Sequence, residues 1–597
     1  MSFSQLLSFL YSSLYKLVES TFLWKLHDLY NNEAKASDSI HLVPSRSGTP
    51  ICVKQQQYAM HCDAITKEIK LLSEPFKIFE IDFWKRPDSH GETELQIKAT
   101  NDGRVHAVVS WWILQLDRTG DWCDHWKQCV WFVPGKGMSI CNGEEVVLHA
   151  THTETSISYN LKSLVLGTEV RQCDVNVEDF HLILPPERIA IYGDGEWRLS
   201  MFTAIRNALQ RRVQPLCIIA DDSVFLTICV AHLSKTADVL SLFPGLRDKG
   251  AQYLEAVSDA NGFSMDRMKV LQKRKTYLTL DDTHQKKLFC LQVDLLIAEP
   301  YYYGNDGMLP WQNLRFCYAL LPSSAMPSFC HPLLFFFCLS ASFAPTSIEE
   351  ILPSITAPTI QAMSCVSGRL VPGEQEITLD LKAFGIYWWK RLRKDYGVGE
   401  IDSIWRRKER TMLDPVLSDD VLIMPCKGIL KACAMSLPDL WNSRCSVRKI
   451  EGFDHSVVNT TLGACGDLPS SKEGPCLPFF IWQCGEIGKL SEVFTVMEFD
   501  FTKQISPCHG KAQVEFMESG ICHGFALWID WVIDAENKIV VSTGPDKRYW
   551  KQGVKLLASP VAVGIGGAER TGICCSTLVE ASFDPSSGEL NIQHTFS

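Results

Sequence analysis

Phe79-Glu80-Ile81-Asp82-Phe83 returns as Met497-Glu498-Phe499-Asp500-Phe501, 418 residues further along the chain. Outward from this pair, Ser110-Trp111 returns as Leu527-Trp528 at an offset of 417. Trp126-Lys127-Gln128-Cys129-Val130 returns as Trp550-Lys551-Gln552-Gly553-Val554 at an offset of 424. Each match is short, but three in the same order at nearly one offset mark an internal repeat. Both copies read as sheet. Apolar and polar residues alternate in Lys77–Phe83 and in Phe494–Phe501, the period of a half-buried strand. The runs Val105–Leu116 and Phe525–Ile533 are rich in β-branched and aromatic residues. They stop at Arg118-Thr119-Gly120 and at Asp534-Ala535-Glu536-Asn537, both turn compositions. Residues of about 16–170 and 425–597 therefore read as two related all-β modules.

The segment between them has another rhythm. Arg198–Leu209 carries apolar residues at helical spacing, and Leu216–Ala220 is a short buried-strand run. Val224–Leu233 reads as an apolar helix and Leu288–Ala298 as a second buried strand ending at Glu299-Pro300. Strands alternating with helices predict a parallel, doubly wound sheet, whose ligands bind at the carboxyl ends of the strands. The predicted fold class is thus α/β plus all-β, a Rossmann-like module flanked by two duplicated β-barrel modules.

Composition narrows the function. A formal charge of −11 over 597 residues argues against direct nucleic-acid binding, which needs a basic surface, and suits a basic peptide partner. The 23 cysteines are scattered and include no C-x-x-C, so they read as reduced structural thiols of a cytosolic or nuclear protein. The Asn459-Thr460-Thr461 sequon then carries no meaning. Met1–Tyr15 is apolar and serine-rich but has no basic residue ahead of it, unlike a secretory signal. The apolar run Leu333–Ala344 sits in a charge-free stretch broken by Pro322, Pro327, Pro332 and Pro345. It is short of the ~20 residues a membrane helix needs, so no membrane segment is predicted.

Val108-Val109-Ser110-Trp111-Trp112 followed by Asp124-His125-Trp126-Lys127-Gln128-Cys129-Val130 resembles the barrel of the tandem-module protein arginine methyltransferases, most of all the plant form of member seven. Ala298-Glu299-Pro300-Tyr301-Tyr302-Tyr303 and Leu309-Pro310-Trp311-Gln312-Asn313-Leu314 resemble that family's second α/β module, and Gly452-Phe453-Asp454-His455 with Lys547–Val554 its second barrel. The resemblance covers about 16–316 and 408–597. It implies methyl transfer from S-adenosylmethionine to the arginine guanidinium of proteins such as histones and RNA-binding proteins. It also implies a tandem pseudo-dimer or a homo-oligomer.

Such chemistry needs a glycine-rich strand-to-helix turn for the cofactor, an acid that holds its ribose, two carboxylates that grip the guanidinium, and a loop that closes the arginine pocket. Asp124, His125 and Trp126 match the closing loop: Trp126 would lie beside the flat guanidinium and His125 would bond a pocket carboxylate. The plain alternative makes Trp126 a core aromatic and His125 a satisfied surface residue. Glu299 matches the first pocket carboxylate, but Met308 stands where the second belongs, with Asp306 out of register. Ala220-Asp221-Asp222-Ser223 replaces the cofactor glycines, and Leu242 and Phe243 stand where the ribose acid should follow. No cofactor-binding residues are assigned, and this module resembles the family's degenerate, supporting half.

Ahead of residue 16 nothing reads D-x-G-x-G, and the one match in the chain, Asp395-Tyr396-Gly397-Val398-Gly399, follows none of the strands read above. Gly193-Asp194-Gly195 precedes a helix but follows no cofactor strand, and Gly564-Ile565-Gly566-Gly567 reads as a hairpin loop. A complete form is expected to carry a further ~200–350 residues upstream with the catalytic Rossmann module. The chain then reads either as part of such an enzyme or as an inactive, protein-binding fragment. The linker keeps Cys173 and His181 of a family zinc site, but Val175 replaces a second cysteine, so no metal is predicted. The domains expected are 1–170, first β-barrel; 171–316, degenerate Rossmann-like; 317–407, an insertion; 408–424, the end of the Rossmann-like module; and 425–597, second β-barrel. The insertion, with its basic and aromatic Tyr387–Lys394, reads as a gene-model artefact more readily than as a nucleic-acid or lipid contact.

Overall fold

The computed structural model describes residues 10–27, 38–42, 51–53, 57–82, 88–115, 122–123, 127–134, 137–153, 157–164, 169–171, 182–210, 212–219, 223–241, 247–270, 293–299, 417–445, 449–450, 452–455, 476–503, 507–534, 536, 538–565, 572–584 and 589–597. The insertion 317–407 lies outside the described residues, as do Cys173, Val175, His181, Asn459, Gly566 and Gly567.

The strand Leu10–Glu19 is the hub of the first antiparallel sheet. It pairs with Ala107–Gln115 from Leu10↔Gln115 to Val18↔Ala107, and with Phe76–Asp82. Beyond Ala107–Gln115 the sheet continues through Gln128–Phe132 to Gln57–Met60. Lys427–Ser436 is the hub of a second sheet, pairing with Gly520–Val532 and Phe494–Asp500. This sheet continues through Gln552–Val563 to Leu477–Phe479. The two sheets share one strand order.

Their registers agree residue by residue. Tyr15 faces Ser110, which faces Cys129; Ala432 faces Leu527, which faces Gly553. The offsets of 417 and 424 read from the sequence are therefore the hydrogen-bond register itself. Even the irregularity matches: the first hub slips against its partner between Ser12 and Leu14, the second between Leu430 and Lys431. Gly91–Lys98 and Cys508–Glu515 each alternate half-buried and exposed residues along one edge of a smaller sheet. At Gly510 a Cβ would fall 1.8 Å from the Val496 carbonyl oxygen, so glycine permits that strand to cross closely over its neighbour. The sequence reading begins the first module near residue 16, whereas the hub starts at Leu10. Consecutive Ser12-Ser13 and Leu14-Tyr15 hide the alternation, although Tyr15 and Leu17 are buried.

Between the sheets lies a parallel one, ordered Met268–Val270, Asp238–Ser241, Leu216–Ile219, Val293–Ile297, Leu417–Met424. In chain order this is 3-2-1-4-5, the doubly wound arrangement, whose switch point lies between the first and fourth strands. Leu216–Ile219 is buried throughout, as a strand covered on both faces must be. Helices Pro186–Tyr192, Gly195–Leu209, Val224–Leu233 and Arg247–Asn261 accompany it. Asp194 starts the second of these, its carboxylate accepting the Glu196 and Trp197 amides at 2.9 and 3.2 Å. The Gly193-Asp194-Gly195 cluster is thus a helix cap. Among the described residues no helix is long and apolar enough to cross a membrane.

Candidate functional site

Glu299 stands two residues past Val293–Ile297, at the carboxyl end of the fourth strand and beside the switch point. Its carboxylate is fully enclosed and already engaged. Arg188 Nε lies 3.3 Å from Glu299 Oε1, with both side chains at most 1% exposed. The Arg188 Nε–H itself donates to the Tyr192 hydroxyl at 3.0 Å, and that hydroxyl donates to Glu299 Oε2 at 3.0 Å. Arg188 and Tyr192 lie four apart on Pro186–Tyr192 and so share one face of that helix. A guanidinium does sit at the carboxylate singled out from sequence, and it belongs to the chain itself.

Buried aromatic rings gather on the helix that follows the first parallel strand. Phe225 is the second residue of the helix that follows the first parallel strand. Tyr192 stacks on it with ring centroids 6.2 Å apart, Trp197 packs at 5.0 Å, and the Arg198 guanidinium lies 5.3 Å from its ring centre. A nucleoside cofactor needs open backbone there. Tyr192, Trp197, Ser223 and Phe225 are all buried and packed, and present no open surface of their own to such a group. Ala220, Asp221, Asp222, Leu242, Phe243, Asp306 and Met308 lie outside the described residues.

A second buried pair ties this module to the first β module. Asp38 accepts Arg198 Nε at 2.6 Å and Arg198 Nη2 at 2.7 Å, a bidentate bridge between side chains of 1% and 2% exposure. The same guanidinium donates to the Ile40 carbonyl at 2.6 Å. One residue on, Asn261 accepts the His41 amide at 2.8 Å and donates to the His41 carbonyl at 2.7 Å. Residues 38–42 are thereby stapled onto two helices of the α/β module.

Asp124, His125 and Trp126 lie outside the described residues. Of their repeat counterparts Arg548, Tyr549 and Trp550, the first two pack against the first β module. The Arg548 guanidinium lies 4.3 Å from the Phe22 ring centre and 5.7 Å from that of Trp482. It bonds both Glu68 oxygens, one at 2.8 Å, which pulls the Glu68 carboxyl below its ordinary value. Tyr549 stacks on Phe22 at 5.9 Å, and burial pushes its hydroxyl up to about 12. Trp550 is buried. Among the described residues no three His, Cys, Asp or Glu side chains converge as metal ligands. The sequence reading missed Arg188, Tyr192, Asp38 and Arg198. Only the four-residue spacing of Arg188 and Tyr192 carried a local signal.

Similarity to known proteins decides the family. Protein arginine N-methyltransferase 7 of Oryza sativa subsp. japonica is 45% identical over 599 residues, covering 96% of this chain and 68% of the relative. The chain belongs to the protein arginine N-methyltransferase 7 family. Protein arginine N-methyltransferase 1.6 of Arabidopsis thaliana is 47% identical over 605 residues, 98% of this chain and 70% of the relative. Among solved structures, the Trypanosoma brucei PRMT1 enzyme-prozyme heterotetrameric complex with AdoHcy matches at a TM-score of 0.37 and 11% identity, over 68% of this chain and 91% of that one. No family model matches the sequence.

Proposed function

We propose that this chain contributes the substrate-side barrel and the supporting half of a tandem S-adenosylmethionine-dependent protein arginine N-methyltransferase. Membership of the family supports methyl transfer to protein arginines, and the substrates proposed are proteins such as histones and RNA-binding proteins of the cytoplasm and nucleus. The observation that supports this reading is the Arg188–Tyr192–Glu299 chain: the carboxylate expected to hold substrate arginine holds an internal one. Asp124, His125 and Trp126 are then the closing loop of the working pocket, and Arg548-Tyr549-Trp550 its counterpart turned to docking.

The matching registers support a duplication of one α/β-plus-β unit, with modules at 1–170, 171–316 with 408–424, and 425–597. The contacts of Phe22 with Trp482 and Tyr549 support an internal pseudo-dimer. Because the described residues there are buried and packed, no methyl-transfer step is assigned to them. Calorimetric titration of the chain with S-adenosylmethionine tests this assignment. Binding weaker than about 100 μM, roughly −5.5 kcal/mol, is expected. Tighter binding abolished by substitution at Phe225 would place a working cofactor site in the α/β module.

A further inference from the structure

We infer that the seam between the two β modules binds a short acidic segment of a protein partner, gripped by Lys127 of the first module and by Lys551 and Arg444 of the second.

The two lysines are one residue built twice. Each stands immediately before a matching strand, Gln128–Phe132 in the first module and Gln552–Val563 in the second. Gln128 faces Met60 across its sheet and Gln552 faces Phe479, so the residues that follow, His61 and Phe480, are counterparts as well. Lys551 Nζ lies 5.3 Å from the Phe480 ring centre. Lys127 stands close enough to His61 to join burial in lowering its value. The modules meet at this place, where the His61 amide donates to Gln483 Oε1 at 3.2 Å. The repeat thus brings one lysine to each side of a single seam.

Arg444 is the third cation, its guanidinium 5.3 Å from the ring centre of Phe479, the neighbour of Phe480. The Cys484 thiol, which donates to the Phe480 carbonyl at 3.4 Å, lies among these groups. Burial pushes that thiol up to about 11, and Lys127 and Arg444 both oppose the shift. A cation from each module therefore acts on one sulfur. The acids around the seam are mostly committed: Glu68 holds Arg548, and Asp439 accepts the Glu486 amide at 2.8 Å, which leaves Asp63 beside His61. Lys127 and Arg444 are exposed and form no ion pair with any described residue. In a chain of formal charge −11 such a concentration of cations is a local exception. The half-buried rings of Phe479 and Phe480 hold Arg444 and Lys551 in place and leave outward N–H groups to meet carboxylates. A nucleic acid would extend its phosphates over a chain of net negative charge, whereas a short run of Asp or Glu ends where the cations do.

The test is fluorescence anisotropy of a fluorescein-labelled peptide of alternating glutamate and glycine, titrated with the whole chain. Binding that weakens as salt rises is expected. Lys127→Glu and Arg444→Glu should each weaken it about fivefold or more, since an attraction becomes a repulsion. Lys162→Glu makes the same change of net charge at an exposed site on the strand Ile157–Ser163, and should leave binding within about twofold of the parent. Melting temperatures certify the fold of all three variants, none of the substituted side chains being buried. Absence of binding, or an equal loss in Lys162→Glu, would overturn the inference. So would a loss confined to one of the two seam variants, because the site needs a cation from each module. An oligothymidylate of equal charge that binds more tightly through the same cations would make the surface a nucleic-acid site and overturn it too.

Discussion

Arg188 and Glu299 are 111 residues apart in sequence and meet at the switch point of the parallel sheet, with Tyr192 bridging them. A carboxylate in that position is isolated from water, so it needs a cation and hydrogen-bond donors. The chain supplies both from one helical turn. What would be a recognition site in an open crevice is a closed structural joint.

Removal of the guanidinium should therefore be severe. Arg188→Ala leaves a buried carboxylate without its cation, at a cost of about 3–5 kcal/mol. The vacated volume has the shape of its former occupant. Millimolar ethylguanidinium should raise the melting temperature of Arg188→Ala while leaving the parent and Arg188→Met unaffected. Thermal melts read this directly, and an unresponsive Arg188→Ala protein would show that Glu299 does not anchor the guanidinium.

The Asp38–Arg198 bridge makes a different prediction. Either Asp38→Leu or Arg198→Met strands one buried charge, and each should cost about 3–5 kcal/mol. The double variant replaces both charges with apolar groups and should be more stable than either single one. Urea denaturation of the three proteins measures the difference. A double variant weaker than both singles would mean that the bridge contributes beyond mutual neutralisation.

Trp126 and Trp550 occupy equivalent places in the repeat but should respond differently. In an enzyme with a working cofactor module, Trp126→Ala should lower turnover by about tenfold or more, because a misplaced guanidinium loses its attack geometry. Trp550 is buried, so Trp550→Ala should cost about 3–5 kcal/mol of stability and leave turnover per folded molecule nearly unchanged. Turnover normalised to the folded fraction by circular dichroism separates the two. Equal losses in well-folded protein would refute an active first half with a supporting second.

His27 supplies a pH dependence. Burial, and secondarily the neighbouring His106, lowers the His27 value from 6.5 to about 4. Its Nδ1 is enclosed and has no hydrogen-bond partner among the described residues. The folded chain keeps this ring neutral while the unfolded chain takes up a proton. Its contribution is therefore complete above 6.5 and is lost as pH falls from there toward 4. His27→Phe keeps a ring against Phe132, where the imidazole now stacks at 5.5 Å, and removes the titration. Urea midpoints at neutral and mildly acidic pH should converge in this variant. An undiminished fall would assign the acid sensitivity to other groups, His106 first, whose value burial also lowers.

The sheets were legible because their information is local and periodic. Alternation located Phe76–Asp82 and Phe494–Asp500 within a residue or so, and the repeat offsets carried the register and the bulge with it. Val224–Leu233 was read to the residue, since Ser223 caps it and apolar side chains run unbroken behind. The joints were not legible. Asp38 finds Arg198 across 160 residues, and nothing in either segment's pattern names the other. Glu299 was found through the family's motif, but its partner was not, because an arginine four residues before a tyrosine is unremarkable until the fold turns that face inward.

The docking of Arg548 on Phe22 and Glu68 has a consequence for biosynthesis. The Glu68–Arg548 bond spans 480 residues, so the first module leaves the ribosome with the Phe22 face uncovered. At elongation rates of about 5–20 residues per second, its cover arrives on the order of a minute later. Until then a nascent chain presents an aromatic surface and an unpaired Glu68 to its surroundings, and a stall downstream of the first module prolongs that interval. The vulnerability of this protein to aggregation is thus set by the timetable of translation as well as by the stability of the finished fold.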